Sequence, residues 1–319
     1  IIDVFSYCDD DFLENQGIDK GGMTLVDAAS SAALYDAITV TGKPELMPGG
    51  SAANTAVGLV ALGGNAAFVG RVHDDDLGAA FCKHISEAGV VFASVPANFG
   101  APTASSIILV TPDAARSMNT FLGASLEFQP EDISFIAASD ASVIYLEGYL
   151  FDAPAGPYIY AQAARVAAQS RAKIALSLSD AWCVDRHRDA LWKFVKDHVD
   201  ILFANEDEAI SLVKADYLTS IQKLKNIVED VVITRGHLGA VICHAGTQFV
   251  VDAKPQGPVV DTTGAGDLFA AGYLYGHTHG FNAEISAQIA SLAAGEVISH
   301  IGARPINDLQ NLIKPIINA

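Results

Sequence analysis

Val259-Val260-Asp261-Thr262-Thr263-Gly264-Ala265-Gly266-Asp267-Leu268-Phe269-Ala270-Ala271-Gly272 joins a β-branched strand end, a turn of small residues and an apolar helical start. One carboxylate, Asp267, sits at the junction. In such a turn the backbone N–H groups of Gly264, Ala265 and Gly266 can approach an anion unobstructed, and the following helix aims its positive end at the same point. The implied chemistry is phosphoryl transfer. A carboxylate beside an anion hole would be repelled by a resting phosphate, so Asp267 reads as a base that takes a proton from an attacking hydroxyl. The plainer alternative, an Asp capping a helix after a glycine turn, would suit a lone Gly-x-Gly-Asp but accounts less well for the longer string.

Outward from this segment, the chain alternates short β-branched runs with longer alanine-rich stretches. Strands are expected at 143–147, 174–178, 200–204 and 231–234, with helices such as 155–169 and 185–199 after them. Alternation of this kind predicts a mostly parallel sheet covered by helices. Ser51 is expected to cap a helix that runs to about Leu62 and stops at Gly63-Gly64. Ligands of an open parallel sheet sit outside the carboxyl ends of its strands, and Glu147, Asn205, Thr234 and Asp261 each fall at such an end. Two segments, roughly 8–44 and 89–125, break the alternation, with 103–110 the clearest strand in them.

The chain carries 37 acidic against 19 basic side chains, a net charge of −18, and has no Lys/Arg-rich run. A nucleic acid or an anionic membrane would meet long-range repulsion and is not expected as a partner. ATP, also an anion, arrives with Mg²⁺ and is held by local backbone dipoles rather than by a basic surface. Four cysteines without a Cys-x-x-Cys pair read as thiols of a reducing compartment. No apolar stretch reaches membrane-spanning length, and a cytoplasmic location is expected. A P-loop, a Gly-x-Gly-x-x-Gly after the first strand and a His-Glu-x-x-His are all absent. The nine histidines lack evident ligand partners at metal spacing, and His277 and His279 are expected to be exposed at a helix end.

Asp261 to Asp267 resembles the C-terminal signature of the ribokinase/PfkB family of sugar and nucleoside kinases. Pro48-Gly49-Gly50-Ser51-Ala52-Ala53-Asn54 resembles the family's N-terminal Gly-Gly-x-x-x-Asn element, and Val72-His73-Asp74-Asp75-Asp76-Leu77-Gly78 its V-G-D-D-x-x-G, with His73 in place of a glycine. Asn205-Glu206-Asp207-Glu208 matches N-x-x-E, and Thr234-Arg235-Gly236-His237-Leu238-Gly239 matches T-x-G-x-x-G, both in order. The resemblance covers nearly the whole chain. It implies a ribokinase-like three-layer α/β/α sandwich spanning 1–319 as one kinase domain, with 8–44 and 89–125 inserted as a small β-sheet lid over the acceptor. It also implies a Gly-Asn pair just before the first strand, so a chain starting at Ile1 is expected to lack a short N-terminal piece.

The resemblance further implies ATP and Mg²⁺ as cofactors. It places the acceptor on Asp3, at the end of the first strand, on Gly49 and Gly50, and on Asn54, whose amide both donates and accepts. Arg116 resembles the lid arginine that meets the transferred phosphate. Asn205 and Glu208 would orient Mg²⁺, Glu208 through water, although a capped helix start looks the same in sequence. Thr234, Gly236 and Gly239 would line the nucleotide, with Gly264 to Gly266 under its phosphates. Ala293-Ala294-Gly295 offers a small-residue surface for an adenine, Glu147 could face acceptor or metal, and Asp261 and Thr263 are candidates for a monovalent cation, K⁺. The strings Cys8–Leu13, Ser117–Gly123 and 145–149 look like adenosine kinase-like members, which points to a nucleoside 5′-hydroxyl as acceptor, with Phe12, Leu13 and Phe121 against its base. A free-sugar kinase acting on ribose or fructose is the alternative within the class, and a catalytically idle nucleoside-binding protein the alternative outside it. A monomer or homodimer is expected.

Overall fold

The computed structural model describes residues 1–113, 115–133 and 140–318; residue 114, within the second expected lid segment, lies outside them, as does the side chain at 41. The chain divides into two compact units, one made of Ile1–Gly50, Val69–Glu87 and Ser94–Phe128, the other of Ser51–Phe68, Ala88–Ala93 and Gln129–Ala319. Each has its own principal sheet.

In the larger unit six strands lie in the order Thr247–Val251, Ala240–His244, Asp230–Thr234, Ile201–Asn205, Lys173–Ser177, Val143–Glu147. The last four are parallel, while the first two close an antiparallel hairpin at one edge. Strand periodicity of two sends alternate side chains to opposite faces. Leu202 and Ala204 pack on one face with Ala163, Val184, Leu191, Ala209 and Ile221, which belong to four different helices. Ile201 and Phe203 pack on the other face with Phe269, Tyr273, Ala287 and Ala290 from helices Ala265–Thr278 and Ala283–Val297. Burial on both faces explains why these strands read as continuous apolar runs. The larger unit is thus mixed α/β, with helices on both faces of a mostly parallel sheet, as the family resemblance implies.

Strand 143–147 falls as expected, and the other three strands begin within one residue of the expected positions. Helix Ser51–Ala61 ends at Gly63, where φ is 99° and the Gly63 and Gly64 amides reach back to the Val60 and Leu59 carbonyls. That is the glycine stop read from sequence.

The smaller unit holds a five-stranded sheet in the order Met23–Leu25, Arg116–Phe121, Ser105–Val110, Ile2–Tyr7, Glu45–Pro48. Within it Asp75 accepts from the Gly78 and Thr103 amides, at 2.7 and 2.8 Å. A Cβ on Gly78 would lie 1.9 Å from the His73 carbonyl oxygen, so the glycine is what the turn requires. His73 does not adopt the left-handed conformation, so its backbone does not need the glycine of the family pattern.

Candidate active site

Helix Ser51–Ala61 approaches helix Ala265–Thr278 closely because Gly58 has no side chain: a Cβ there would lie 2.6 Å from Leu268 Cδ1 and 2.9 Å from Ala271 Cβ. One turn before Gly58, Asn54 meets Asp267. Asn54 Nδ2 donates to Asp267 Oδ2 at 3.0 Å, and Ser51 Oγ donates to Oδ1 at 2.7 Å. Arg304 Nε in turn donates to Asn54 Oδ1 at 3.3 Å. Burial pushes the Asp267 carboxyl above its ordinary range against the opposing pull of Ser51 and Asn54. The Ser51 hydroxyl, expected from sequence at the start of this helix, thus also serves Asp267.

Glu147, at the end of strand Val143–Glu147, belongs to the same electrostatic neighbourhood. Burial and the like charge of Asp267 push it up to about 7, although Ser51 and the Ala52 amide favour its charged form. Its Oε1 is buried without a hydrogen-bond partner. The Tyr160 hydroxyl donates to the Glu147 carbonyl at 2.5 Å and fixes the strand end. Two carboxylates of raised pKa, one shielded by two donors and one with an unsatisfied oxygen, make an arrangement suited to accepting a proton.

The turn before Asp267 has the geometry the anion hole needs. Gly264 sits at φ 80° in the N-cap position, and a Cβ there would lie 2.7 Å from Ala303 Cα. Around Gly266 nothing lies within 4 Å of where a Cβ would be, so its backbone faces open space at a helix start. Asp261 Oδ1 accepts from the Thr263 amide and hydroxyl at 3.1 and 2.7 Å, and Oδ2 from the Gly302 amide at 3.1 Å. These bonds tie the signature turn to the loop that carries Arg304.

Strand ends further along the sheet carry the expected nucleotide residues. Thr234 stands beside Asn205 in parallel register, and its hydroxyl donates to the Ala204 carbonyl at 3.4 Å. Gly236, at φ 55°, has nothing within 4 Å of a would-be Cβ, whereas Gly239, at φ 77°, is approached to 1.9 Å by the Val251 carbonyl oxygen. Gly239 is thus a structural glycine of the hairpin. Asn205 and Glu208 form a reciprocal capping box: Asn205 Oδ1 accepts from the Glu208 amide at 2.8 Å, while Asn205 N and Nδ2 donate to the Glu208 carboxylate at 3.0 and 2.7 Å. Burial pushes Glu208 up to about 7. With both oxygens engaged, the carboxylate does not fit direct Mg²⁺ ligation in this arrangement; contact through water is compatible with it.

In the smaller unit Asp3 lies at the start of strand Ile2–Tyr7 rather than at its end, one ladder position from the start of the strand's pairing with Glu45–Pro48. Its carboxylate lies against Gly49, where a Cβ would be 2.5 Å from Oδ2, and Gly50 follows at φ 93°. Arg116 opens strand Arg116–Phe121 with its guanidinium 6.0 Å from the centre of the Phe5 ring. Leu13 is buried, so of the apolar residues expected to meet a base only Phe12 and Phe121 keep exposed surface. Ala293 is buried too, and a Cβ on Gly295 would lie 1.9 Å from the Lys254 carbonyl oxygen. Of the three, Ala293 and Gly295 are thus packed against the chain, and Ala294 keeps exposed surface. His277 is partly buried 3.8 Å from Asp230, with burial lowering its pKa, instead of exposed; His279 is exposed as expected.

Sequence reasoning missed Gly58 and Arg304. A glycine four residues after Asn54 in an alanine-rich helix is a detectable sign of close helix contact, whereas Arg304 stands in a loop with no motif around it.

A glycine-lined helix start beside a buried carboxylate, on a ribokinase-like sheet, defines a phosphotransferase that acts on an alcohol group. The chain belongs to the pfkB family of carbohydrate kinases, whose family model matches residues 22–309. It is similar to the adenosine kinase of Sinorhizobium meliloti, at 40% identity over 99% of this chain and 96% of that one, with a TM-score of 0.89. A probable sugar kinase from Rhizobium etli CFN 42 is 41% identical over 98% of this chain and 95% of that one, with the same TM-score of 0.89. The adenosine kinase of Saccharomyces cerevisiae is 28% identical over 92% of this chain and 90% of its own length. Family membership implies ATP, with Mg²⁺, as the phosphoryl donor. Among the described residues no helix is long and apolar enough to cross a membrane.

Proposed function

We propose that the protein transfers the γ-phosphoryl group of ATP to the 5′-hydroxyl of a ribose-bearing nucleoside, adenosine foremost. The observation that carries the transfer step is the buried Asp267 carboxylate, held by Ser51 and Asn54 beside the open Gly264–Gly266 turn. Asp267 accepts the hydroxyl proton, a contribution of about 10² to 10⁴ in rate. The Ala265 and Gly266 amides meet the phosphoryl oxygens, and Arg304 supplies positive charge as that group moves, a role that the family resemblance gives to Arg116 in the smaller unit. Asn205, Thr234 and Gly236 hold the nucleotide, and Glu208 orients Mg²⁺ through water. In the larger unit Asn54 and Glu147 take the acceptor's hydroxyls, a role that the family resemblance gives to Asp3, Gly49 and Gly50 in the smaller unit. Mg²⁺ neutralises charge between the phosphates when bound.

The 40% identity to a Sinorhizobium meliloti adenosine kinase supports the nucleoside reading. A free-sugar acceptor is the second reading, favoured by the 41% identity to a probable sugar kinase. Values of kcat/KM for adenosine, 2′-deoxyadenosine, ribose and fructose separate them. A base stacked on Phe12 or Phe121 is worth about 1–3 kcal/mol, which should place adenosine at least tenfold above free ribose. Loss of the 2′-hydroxyl should weaken the substrate further by leaving buried partners unpaired. A free sugar equal to adenosine would reassign the acceptor and leave the kinase standing.

A further inference from the structure

Within the larger unit, behind Glu147, the short helix Gly148–Asp152 packs on helix Ala181–His198. Cys183 and His187 lie one turn apart on the longer helix and point to the same side as Asp152. One ligand atom from each of the three lies within 4.8 Å of the other two. Asp152 Oδ1 is 2.7 Å from His187 Nε2, and the Cys183 thiol, fully buried, donates to the Gly148 carbonyl at 3.2 Å. The His187 ring stacks on Phe151 with centroids 5.7 Å apart, which fixes its plane. Spatial assembly therefore supplies what the histidine spacings alone did not display.

An ion-pair network explains part of this cluster: Arg186 donates to both Asp152 oxygens, at 3.2 and 2.7 Å. The network does not involve the thiol, which nevertheless stands beside the same carboxylate and imidazole. Thiolate, imidazole and carboxylate together are the donor set of Zn²⁺, whereas Mg²⁺ takes oxygen ligands and would reject it. Full burial of the thiol argues against a nucleophile that meets substrate.

We propose that Asp152, Cys183 and His187 form a binding site for a Zn²⁺-type divalent cation, separate from the Mg²⁺ of phosphoryl transfer. On binding, Sγ, Nε2 and one Asp152 oxygen each form a bond to the ion, the Nε2–Asp152 hydrogen bond breaks as the imidazole takes the tautomer with its proton on Nδ1, and water takes the fourth position. The Cys183 proton leaves to solvent, and Arg186, already half exposed, gives up Asp152 to the ion. The two charges of the cation are balanced by thiolate and carboxylate. Because the thiol leaves the Gly148 carbonyl, next to Glu147, occupancy should also lower turnover.

The test uses the whole chain, stripped with a chelator and dialysed. Zn²⁺ titrated in competition with a chromophoric chelator should reveal one site per chain at neutral pH, and Co²⁺ should give a tetrahedral visible spectrum with a thiolate charge-transfer band in the near ultraviolet. Cys183→Ser and His187→Gln, confirmed as folded by thermal unfolding, should each weaken binding by at least about 100-fold, beyond the loss typical of outer-shell changes. Absence of Zn²⁺ binding at micromolar concentration, a Co²⁺ spectrum without the thiolate band, or unchanged affinity in both variants overturns the assignment. Should Cys183→Ser not fold, the wild-type Co²⁺ spectrum and His187→Gln decide by themselves.

Discussion

Asp267 is an unusual carboxylate because every neighbour that lowers its pKa is a neutral donor, and burial still prevails. Replacing it by Asn should reduce kcat by at least about 100-fold while ATP affinity stays within a factor of two, as measured by turnover and calorimetric titration. Arg304→Gln should also lower kcat, and Arg304→Lys should restore only part of it, since an ammonium lacks the planar fork. Glu208 yields a pH prediction. Its folded-state pKa of about 7 lies above the ordinary 4.5, so its proton is held more tightly in the folded chain. That contribution is complete below pH 4.5 and is lost as pH rises to 7; it amounts to about 3 kcal/mol at most. Glu208→Gln should therefore flatten the fall in stability between pH 5 and 7, as read by chemical denaturation at fixed pH. The same variant should raise the Mg²⁺ concentration for half-maximal rate if Glu208 holds metal water, and an unchanged Mg²⁺ titration would leave it as a helix cap alone. Asp267 and Asn54 were legible because each stands in a motif of small residues where a polar side chain needs a reason. Arg304 was not, since its meaning lies in a contact 250 positions away.

At the level of elements, the signature glycines divide into two kinds that look identical in sequence. Gly264 needs its positive φ and the space that Ala303 borders, whereas Gly266 needs neither. Gly264→Ala should destabilise the fold by about 1–3 kcal/mol through backbone strain and crowding. Gly266→Ala should leave the melting temperature unchanged and raise KM for ATP, because its methyl would occupy the space in which phosphate oxygens meet the helix start. Equal losses of stability in both variants would contradict the division. Strand positions came through well in the sequence because buried parallel strands are bounded by turns and rich in β-branched residues. The packing around Ala293 and Gly295 did not, because an alanine-rich helix face reads alike whether another chain segment or a ligand covers it. Only the approach of the Lys254 carbonyl distinguishes the two.

Over the whole molecule, a net charge of −18 sets the terms on which an anionic substrate arrives. Raising ionic strength from about 0.01 to 0.15 M shortens the screening length from about 30 to 8 Å, so KM for MgATP should fall over that range at constant free Mg²⁺. A rise in KM would show that local dipoles, rather than the overall field, govern encounter. Composition made this property visible at once, but the division of the chain into two units was only partly visible, because each unit is assembled from three separate stretches. The same interleaving appears in the bonds around the base: Ser51 and Asn54 reach Asp267 across 216 and 213 positions, and Arg304 reaches Asn54 across 250. During synthesis the early helix cannot make these bonds until almost the entire polypeptide has left the ribosome. Nascent fragments ending before Arg304 should thus be inert whatever structure they hold, and activity in a series of truncations should switch on in one step near the C-terminus rather than accumulate.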